Sequence, residues 1–261
     1  MRIEFLTQDD PLYILPFFEE FFRHYASEFE IIQVSCCRTM GSRPRTQMIR
    51  ELACLYGLGG FSRLVLRSGA ARFLGLLPRR EGAPRFHSMK QLCRAWRIPL
   101  QRIGNPNTAP FVDELALRAP DLILSVACPY IFKERLLKLA PLGCVNVHHA
   151  PLPKYQGMMP TFWQMFHEEH AVGLTIHYMA EKIDRGPALL QDSLSIEPGE
   201  SLDHLIRRSK RHGAHCMARV ARQIASQTQS VIALDQAAAS YFTFPTIAQI
   251  REFRRRGFRA L

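Results

Sequence analysis

A continuous apolar run, Leu122 to Ala127, is the feature that most restricts how this chain can fold. The run is bounded by Pro120 on one side and Pro129 on the other. Short apolar runs between turn residues are typical of strands that are buried on both faces, as in parallel sheets covered by helices. Residues 122–127 are therefore predicted to be a central strand of such a sheet.

Segments with strand and helix patterns alternate on both sides of this run. Further strands are predicted at 2–6, 30–36, 98–103, 144–150, 173–178 and 188–196, and helices at 12–25, 46–57, 61–77, 88–96, 110–118, 133–140 and 201–226. This alternation predicts an α/β fold, a doubly wound, Rossmann-like, mostly parallel sheet flanked by helices. Ligands of such sheets bind at the carboxyl ends of strands, so residues 128–132 and 146–149 are expected to face one crevice.

The length and composition indicate one globular domain with a tail. We expect residues 1–228 to form the domain, with a helical, arginine-rich insertion at about 41–86, and residues 229–261 to form a short basic C-terminal tail. No run of 18 apolar residues and no secretory signal pattern is found in the sequence. The seven cysteines show no CxxC and no metal-like pattern. We therefore expect a cytoplasmic protein with reduced thiols and no metal.

The formal net charge of +11 favours anionic partners, such as nucleotides, phosphosugars, RNA or an acidic membrane surface. The arginines are concentrated in two segments. Residues 41–86 contain nine arginines but only two acids, and residues 251–259 contain five more arginines. Two solvated faces with no partner are the alternative interpretation.

Three polar residues form the candidate catalytic group. Asn146 and His148 are two residues apart at the end of a predicted strand, so their side chains point the same way. An amide and an imidazole side by side can donate hydrogen bonds to an oxygen that gains negative charge. Asp184 lies in a loop with Gly186, from which its carboxylate could approach His148 and stabilise an imidazolium. Taken alone, the pattern also fits a capping asparagine and a structural histidine.

The longer pattern around these residues resembles the catalytic domain of the folate-dependent formyltransferases. That family shares Asn-x-His, then Leu-Pro-x-x-x-Gly, then Asp-x-Gly about 38 residues after the asparagine. In this chain the three elements are Asn146-Val147-His148, residues 152–157 (LPKYQG) and Asp184-Arg185-Gly186, with a spacing of 38. The PDLILSV and GLTIH segments also match, and the resemblance covers roughly residues 95–225.

The resemblance implies a reaction and a co-substrate. An acceptor amine would take the formyl group of N10-formyltetrahydrofolate, with Asn146 and His148 donating to the oxyanion and Asp184 orienting His148 and moving a proton. The family holds the pterin ring through backbone groups of two loops. In this chain they correspond to Cys128, Pro129, Tyr130, Ile131 and Phe132, and to Met179, Glu181, Lys182, Ile183 and Asp184.

Several neighbouring residues have two interpretations. His149, Lys154, Gln156 and Gly157 are candidates for binding the acceptor, and solvent exposure is the alternative for the first three. His177 is expected to be structural. Phe162 and Trp163 are expected to pack a helix rather than stack on a substrate.

The sequence also narrows the acceptor. TQDDP follows the first strand where glycinamide ribonucleotide enzymes have a Gly/Ser-rich phosphate loop, which disfavours that substrate. The short tail disfavours tRNA, and the early first strand disfavours the deformylase subgroup with its regulatory domain in front. Similarity to the amino-sugar N-formyltransferases implies a nucleotide-linked or lipid-linked amino sugar. Methionyl-tRNA formyl transfer, hydrolysis of formyltetrahydrofolate and peripheral membrane contact remain alternatives.

The insertion is interpreted as two helices joined at residues 57–60. We expect Phe61, Leu64, Val65, Phe73 and Leu77 to form one apolar stripe, flanked by Arg63, Arg67 and Arg72. The hypothesis is that these helices border the acceptor entrance and attract an anionic amine. The alternative is that the stripe packs on the sheet domain and that the arginines only solvate it.

Overall fold

The computed structural model describes residues 1–38, 45–79 and 85–261. Residues 41–44 and 80–84 of the predicted insertion therefore lie outside the described residues. The strands are β1 Arg2–Gln8, β2 Glu30–Cys37, β3 Leu100–Ile103, β4 Leu122–Val126, β5 Cys144–His148, β6 Gln156–Gly157, β7 Ala171–Tyr178, β8 Ala188–Ser195 and β9 Tyr241–Phe242. The α-helices are α1 Leu15–Tyr25, α2 Arg45–Leu76, α3 Met89–Ala95, α4 Ala109–Arg118, α5 Glu134–Leu137, α6 Pro160–Phe166, α7 Leu202–Ala225 and α8 Ile247–Arg255.

The main sheet has seven strands in the order β3-β2-β1-β4-β5-β7-β8. Strands β1 to β5 pair in parallel, whereas β7 is antiparallel to β5 and β8 is antiparallel to β7. The predicted doubly wound, mostly parallel sheet is thus confirmed. The antiparallel pairing of β7 with β8 follows from their short connection, residues 179–187, because a parallel crossover requires a dozen residues or more, usually in a helix.

Alternate side chains of the central strands enter two different cores. Phe5 packs with α1, α3 and α7 on one face of the sheet, and the neighbouring Leu6 packs with α4 and α5 on the other. All five residues of β4 are buried, as the apolar run 122–127 predicts. The helices therefore cover both faces of the sheet and leave the strand ends for a site.

The predicted tail has structure of its own. Strand β9 pairs with β6, and α8 buries Ile250 and Phe253 completely against an apolar cluster that includes Phe162 and Trp163. The packing expected for Phe162 and Trp163 is thus observed. The local sequence did not indicate β6 or β9, because a two-residue strand has no periodicity that could be recognised.

Helix α2 follows the prediction for the insertion in part. It is broken at Gly57, whose φ of 68° and ψ of 166° are not helical, close to the predicted junction at residues 57–60. The predicted apolar stripe is wrong. Leu64 is buried against the protein, whereas Val65 and Phe73 are exposed on another side of the helix. Arg67 points inward to Asp203 and therefore does not lie with Arg63 and Arg72.

Among the described residues, no helix is both long enough and apolar enough to cross a membrane.

Candidate active site

Strand β5 carries two polar side chains to the edge of the sheet. Val145 and Val147 are buried in the core on one face, so the alternate residues Asn146 and His148 point to the other face. Antiparallel pairing places His177 of β7 opposite Asn146. The strand pairing therefore brings two imidazoles and an amide to one place.

Residues 156 and 157 hold Asp184 in place through hydrogen bonds. The Gly157 N–H donates a hydrogen bond of 3.0 Å to Asp184 Oδ2, and the Gln156 side-chain amide donates one of 3.3 Å to the Asp184 carbonyl oxygen. Gly186 allows this loop to approach the sheet, because a Cβ built there would lie 1.7 Å from the Tyr178 carbonyl oxygen. Only glycine fits at residue 186 without a backbone movement.

His148 lies between two acceptors. Its Nε2 is 2.8 Å from the Tyr155 carbonyl oxygen, which can only accept, so Nε2 carries a proton and donates. Its Nδ1 lies 3.5 Å from Asp184 Oδ2. The two contacts fix the orientation of the imidazole beside the Asp184 carboxylate.

His177 is a third imidazole of the site. Its Nδ1 donates to the Tyr178 carbonyl oxygen at 2.8 Å, so the neutral ring presents Nε2 as an acceptor to the Asn146 side-chain N–H at 3.2 Å. Burial lowers the pKa of His177 to about 4, although Asp184, 3.7 Å away, opposes this. His177 was expected to be structural, and the group that it contacts is the Asn146 amide. The position of His177 opposite Asn146 could not be predicted from the sequence, because it depends on the register between β5 and β7, which tertiary pairing sets.

The C-terminal segment also contributes to the site. The Tyr155 N–H donates to Ser240 Oγ at 2.9 Å, and the Gln156 and Met158 N–H groups donate to the carbonyl oxygens of Ser240 and Phe242. These bonds fix the loop that holds His148 and Asp184. Ser240 was not a predicted site residue, and its sequence context carries no signal for this contact.

The two predicted folate loops lie against one apolar cluster. Cys128, Tyr130 and Met179 are partly buried and pack on the cluster that includes the fully buried Phe132. Ile131 and Ile183 are large apolar side chains that remain exposed. Of the remaining predicted contact residues, Pro129 is partly buried, and Glu181 and Lys182 are exposed.

The four predicted acceptor residues have different environments. Gln156 is buried, and with Gly157 it holds Asp184 in the way described above. Lys154 is exposed. His149 is buried, its Nδ1 lies 2.7 Å from Ser209 Oγ, and its Nε2 has no hydrogen-bond partner. Burial lowers the pKa of His149, which keeps the ring neutral.

A cavity of about 530 Å³ lies between α1, α2, α7 and residues 85–87. Arg67 and Arg207 in its wall share the buried Asp203 carboxylate. The wall contains three other arginines and two acids, Glu19 and Glu20. Burial raises the pKa of Glu19, and the charges of Arg211, Arg23 and Arg85 oppose this rise. The cavity therefore has an excess of positive charge.

Two residues next to the cavity wall in the sequence are charged and partly buried. Pro11 and Arg211 of that wall follow Asp10 and Lys210, and Lys210 lies near enough to His149 to lower its pKa. Burial lowers the pKa of Lys210 to about 8 although the Asp10 carboxylate opposes this.

Asp192, His212 and Cys216 have potential ligand atoms within 4.8 Å of one another in the described part of the chain. They lie on β8 and α7 and include none of the three candidate catalytic residues.

Comparison with known proteins places these residues in a family. The family model described as "Formyl transferase" matches residues 80–221, more than half of the chain. Methionyl-tRNA formyltransferase of Syntrophus aciditrophicus is 35% identical over 134 residues, which cover 51% of this chain and 43% of the relative. The bifunctional polymyxin resistance protein ArnA of Wigglesworthia glossinidia brevipalpis is 35% identical over 123 residues, covering 47% of this chain and 19% of that protein. The matched part is therefore less than half of either relative's length.

The fold is also similar to that of solved structures. WlaRD, a sugar 3-N-formyltransferase crystallised in the presence of dTDP and 5-N-formyl-THF, superposes with a TM-score of 0.57 and 15% identity, covering 97% of this chain and 79% of that one. At this identity the likeness concerns the fold alone. The family match, which includes Asn146, His148 and Asp184, identifies the chain as a member of the formyl transferase family.

Proposed function

We propose that the protein transfers a formyl group from N10-formyltetrahydrofolate to the primary amine of a small anionic acceptor, a nucleotide-linked or lipid-linked amino sugar. The observation that carries the proposal is the convergence of Asn146, His148 and Asp184 at one edge of the sheet in a chain of this family. The folate supplies the activated formyl carbon and a leaving nitrogen.

The residues of the two loops fit a folate. Ile131 and Ile183 present exposed apolar surface at the two loops, and Tyr130 and Met179 pack behind them on one cluster. Flat heteroaromatic groups bind in apolar clefts in which a few backbone groups fix their orientation. Cys128–Phe132 and Met179–Asp184 are therefore the proposed walls of the pterin site.

Asn146 is proposed to stabilise the negative charge that develops on the formyl oxygen. One N–H of its amide is directed to His177 Nε2 at 3.2 Å, which fixes the plane of the amide and leaves the second N–H to donate. Preorganised donors of this kind are usually the largest single contribution in acyl transfer. The imidazolium of His148 adds positive charge beside the same oxygen.

Asp184 is proposed to take the proton that the acceptor amine loses as it attacks. Its Oδ2 is occupied by the Gly157 N–H, whereas its Oδ1 accepts no hydrogen bond from the described residues. His148 and His177 lie on the two sides of the carboxylate. The proton can therefore pass to Oδ1 through a water molecule and continue to the leaving nitrogen.

The basic cavity supports an anionic acceptor. Arg23, Arg85 and Arg211 provide guanidinium groups of the kind that bind phosphate bidentately, and five arginines outnumber the two acids of the wall, Glu19 and Glu20. A diphosphate in the cavity would neutralise these charges.

The proposal is tested by an acceptor screen with N10-formyltetrahydrofolate, in which the mass gain of one formyl group is measured for each amine. We expect transfer to nucleotide-linked or lipid-linked amino sugars and release of tetrahydrofolate in equal amounts. Methionyl-tRNA is included because curated relatives carry that name. Loss of the formyl group in the absence of any amine would instead identify a hydrolase. A chain that leaves the folate unchanged with every acceptor would refute both activities.

We predict that replacing Arg23, Arg85 and Arg211 together by Gln raises the KM for the acceptor about tenfold, since each exposed charge pair contributes roughly 0.2–1 kcal/mol. This increase in KM should be smaller at high salt, because salt screens the attraction between the arginines and the acceptor in the unmodified chain. Steady-state kinetics at two salt concentrations measure it, with folate binding unchanged.

The matched control replaces Arg63 and Arg72, which lie on α2 outside the cavity wall. A soluble acceptor should retain its KM in that variant. Equal KM values for the cavity variant and the unmodified chain would remove the cavity from the acceptor site.

A further inference from the structure

Helix α2 presents an apolar face to solvent. Leu58, Leu66, Phe73 and Leu76 are exposed by 83%, 72%, 65% and 84%, and Val65 by 52%. These positions recur with helical spacing, so they lie on one side of the segment after Gly57. Soluble proteins seldom expose contiguous apolar patches of this kind without a partner.

The remaining positions on this outward face are small. Gly69 lies between Leu66 and Phe73, and a Cβ built there would meet nothing within 4 Å. The hydroxyl of Ser62 is bonded to the Leu58 carbonyl oxygen, so it does not need water as an acceptor. The face is therefore apolar along its whole length and is not covered by any other described part of the chain.

The opposite side of α2 binds the protein. Leu64 and Ala71 are buried, and Arg67 donates to Asp203. A Cβ at Gly75 would lie 2.8 Å from Ser88, which shows how closely this side approaches the body. These contacts fix the orientation of the helix. The apolar face therefore points to solvent because the opposite face is bound to the protein.

Arginines flank the outward face, and no acid compensates them. Arg63 and Arg72 are exposed on the two sides of the apolar face. Residues 52–79 contain no Asp or Glu. One C-terminal arginine also lies next to this helix, since α8 packs on α2 and the Arg254 side chain approaches Gly57. The surface therefore combines apolar side chains with uncompensated positive charge.

The charge distribution decides between two occupants. A second copy of this face would bring arginines towards arginines, because residues 52–79 have no carboxylate with which to pair them. A membrane with anionic lipids offers an apolar layer for the leucines and phosphates for the arginines at its surface. An anionic membrane therefore suits both the apolar side chains and the arginines of this face.

We propose that the outward face of α2 docks on the surface of an anionic membrane, with Leu66 and Phe73 inserted below the headgroups and Arg63 and Arg72 bound to lipid phosphates. The docking does not depend on the formyl transfer activity. It places the cavity wall formed by Arg67 and Ala71, on the opposite side of α2, close to the lipid surface.

The test is flotation of the full chain with vesicles of phosphatidylcholine alone or mixed with phosphatidylglycerol. We expect binding to the mixed vesicles and at least tenfold weaker binding to the neutral ones. L66Q/F73Q should reduce binding at least about tenfold, since two large apolar side chains lose their burial. R63Q/R72Q should weaken binding and reduce its dependence on salt.

The matched control is L117Q/V231Q, which removes two apolar side chains that are 89% and 61% exposed elsewhere on the surface. It should bind vesicles as the unmodified chain does. Because all these side chains are exposed, thermal unfolding should show every variant folded. The proposal is overturned if L66Q/F73Q floats as well as the control. It is also overturned if light scattering shows a dimer that L66Q/F73Q dissociates while vesicles bind neither form.

Discussion

Asp184→Asn should lower the kcat of formyl transfer by about 10²–10⁴, the usual contribution of a general acid or base. The substitution keeps an oxygen that can accept from the Gly157 N–H, so the loop should retain its structure. It removes the negative charge 3.5 Å from His148 Nδ1 and the base that takes the amine proton. The loss should therefore appear in kcat, with little change in folate binding.

The control for this variant is Asp113→Asn. Asp113 is an exposed residue of α4 whose carboxylate pairs with Arg135, so the substitution removes the same charge at the surface. We expect it to leave kcat within experimental error. A turnover of Asp184→Asn close to that of Asp113→Asn would exclude Asp184 from proton transfer and leave it a structural role.

Asn146→Ala should lower kcat by about 10²–10³, which is typical for loss of one oxyanion donor. The KM for both substrates should stay within a fewfold, because the missing hydrogen bond strengthens only as the oxygen becomes charged. His177 would lose its amide partner but keep its hydrogen bond to the Tyr178 carbonyl oxygen. Steady-state kinetics with separate variation of the two substrates measure both quantities.

Gln101→Ala is the matched control, since it removes a side-chain amide from β3, at the far edge of the sheet from β5 to β8. Its kcat should be unchanged. If Asn146→Ala raised the KM for the folate and left kcat intact, the amide would bind the ground state and the oxyanion role would be wrong.

His148 is held in the site by a residue that itself depends on the C-terminal segment. Its Nε2 is held by the Tyr155 carbonyl oxygen, and Tyr155 is held by Ser240 of the C-terminal segment. The position of the imidazole therefore depends on a segment that lies 85 residues after Tyr155 in the chain. Residues 229–261 support the site through β9, and the proposed division at residue 228 separates parts that contact each other directly.

The local sequence determined the elements of the sheet. The run at 122–127 became β4, buried at every position from Leu122 to Val126. The helix predicted at 88–96 is α3, Met89–Ala95, and it is capped by Ser88, whose Oγ accepts from the Gln91 N–H. These predictions succeed because burial on two faces and helix capping are local in sequence and leave a recognisable pattern. Short elements such as β6 and β9 have no such pattern.

The sequence by itself also determined which chemical groups form the candidate site, since Asn146, His148 and Asp184 recur in a spacing that the family shares. Only the tertiary structure decided that His177 joins them, because the pairing of β5 with β7 sets that contact. The tertiary structure also decided which face of α2 is buried. Leucines occur on several sides of that helix, so its periodicity does not predict the buried face. The buried face is the one from which Arg67 forms an ion pair with Asp203.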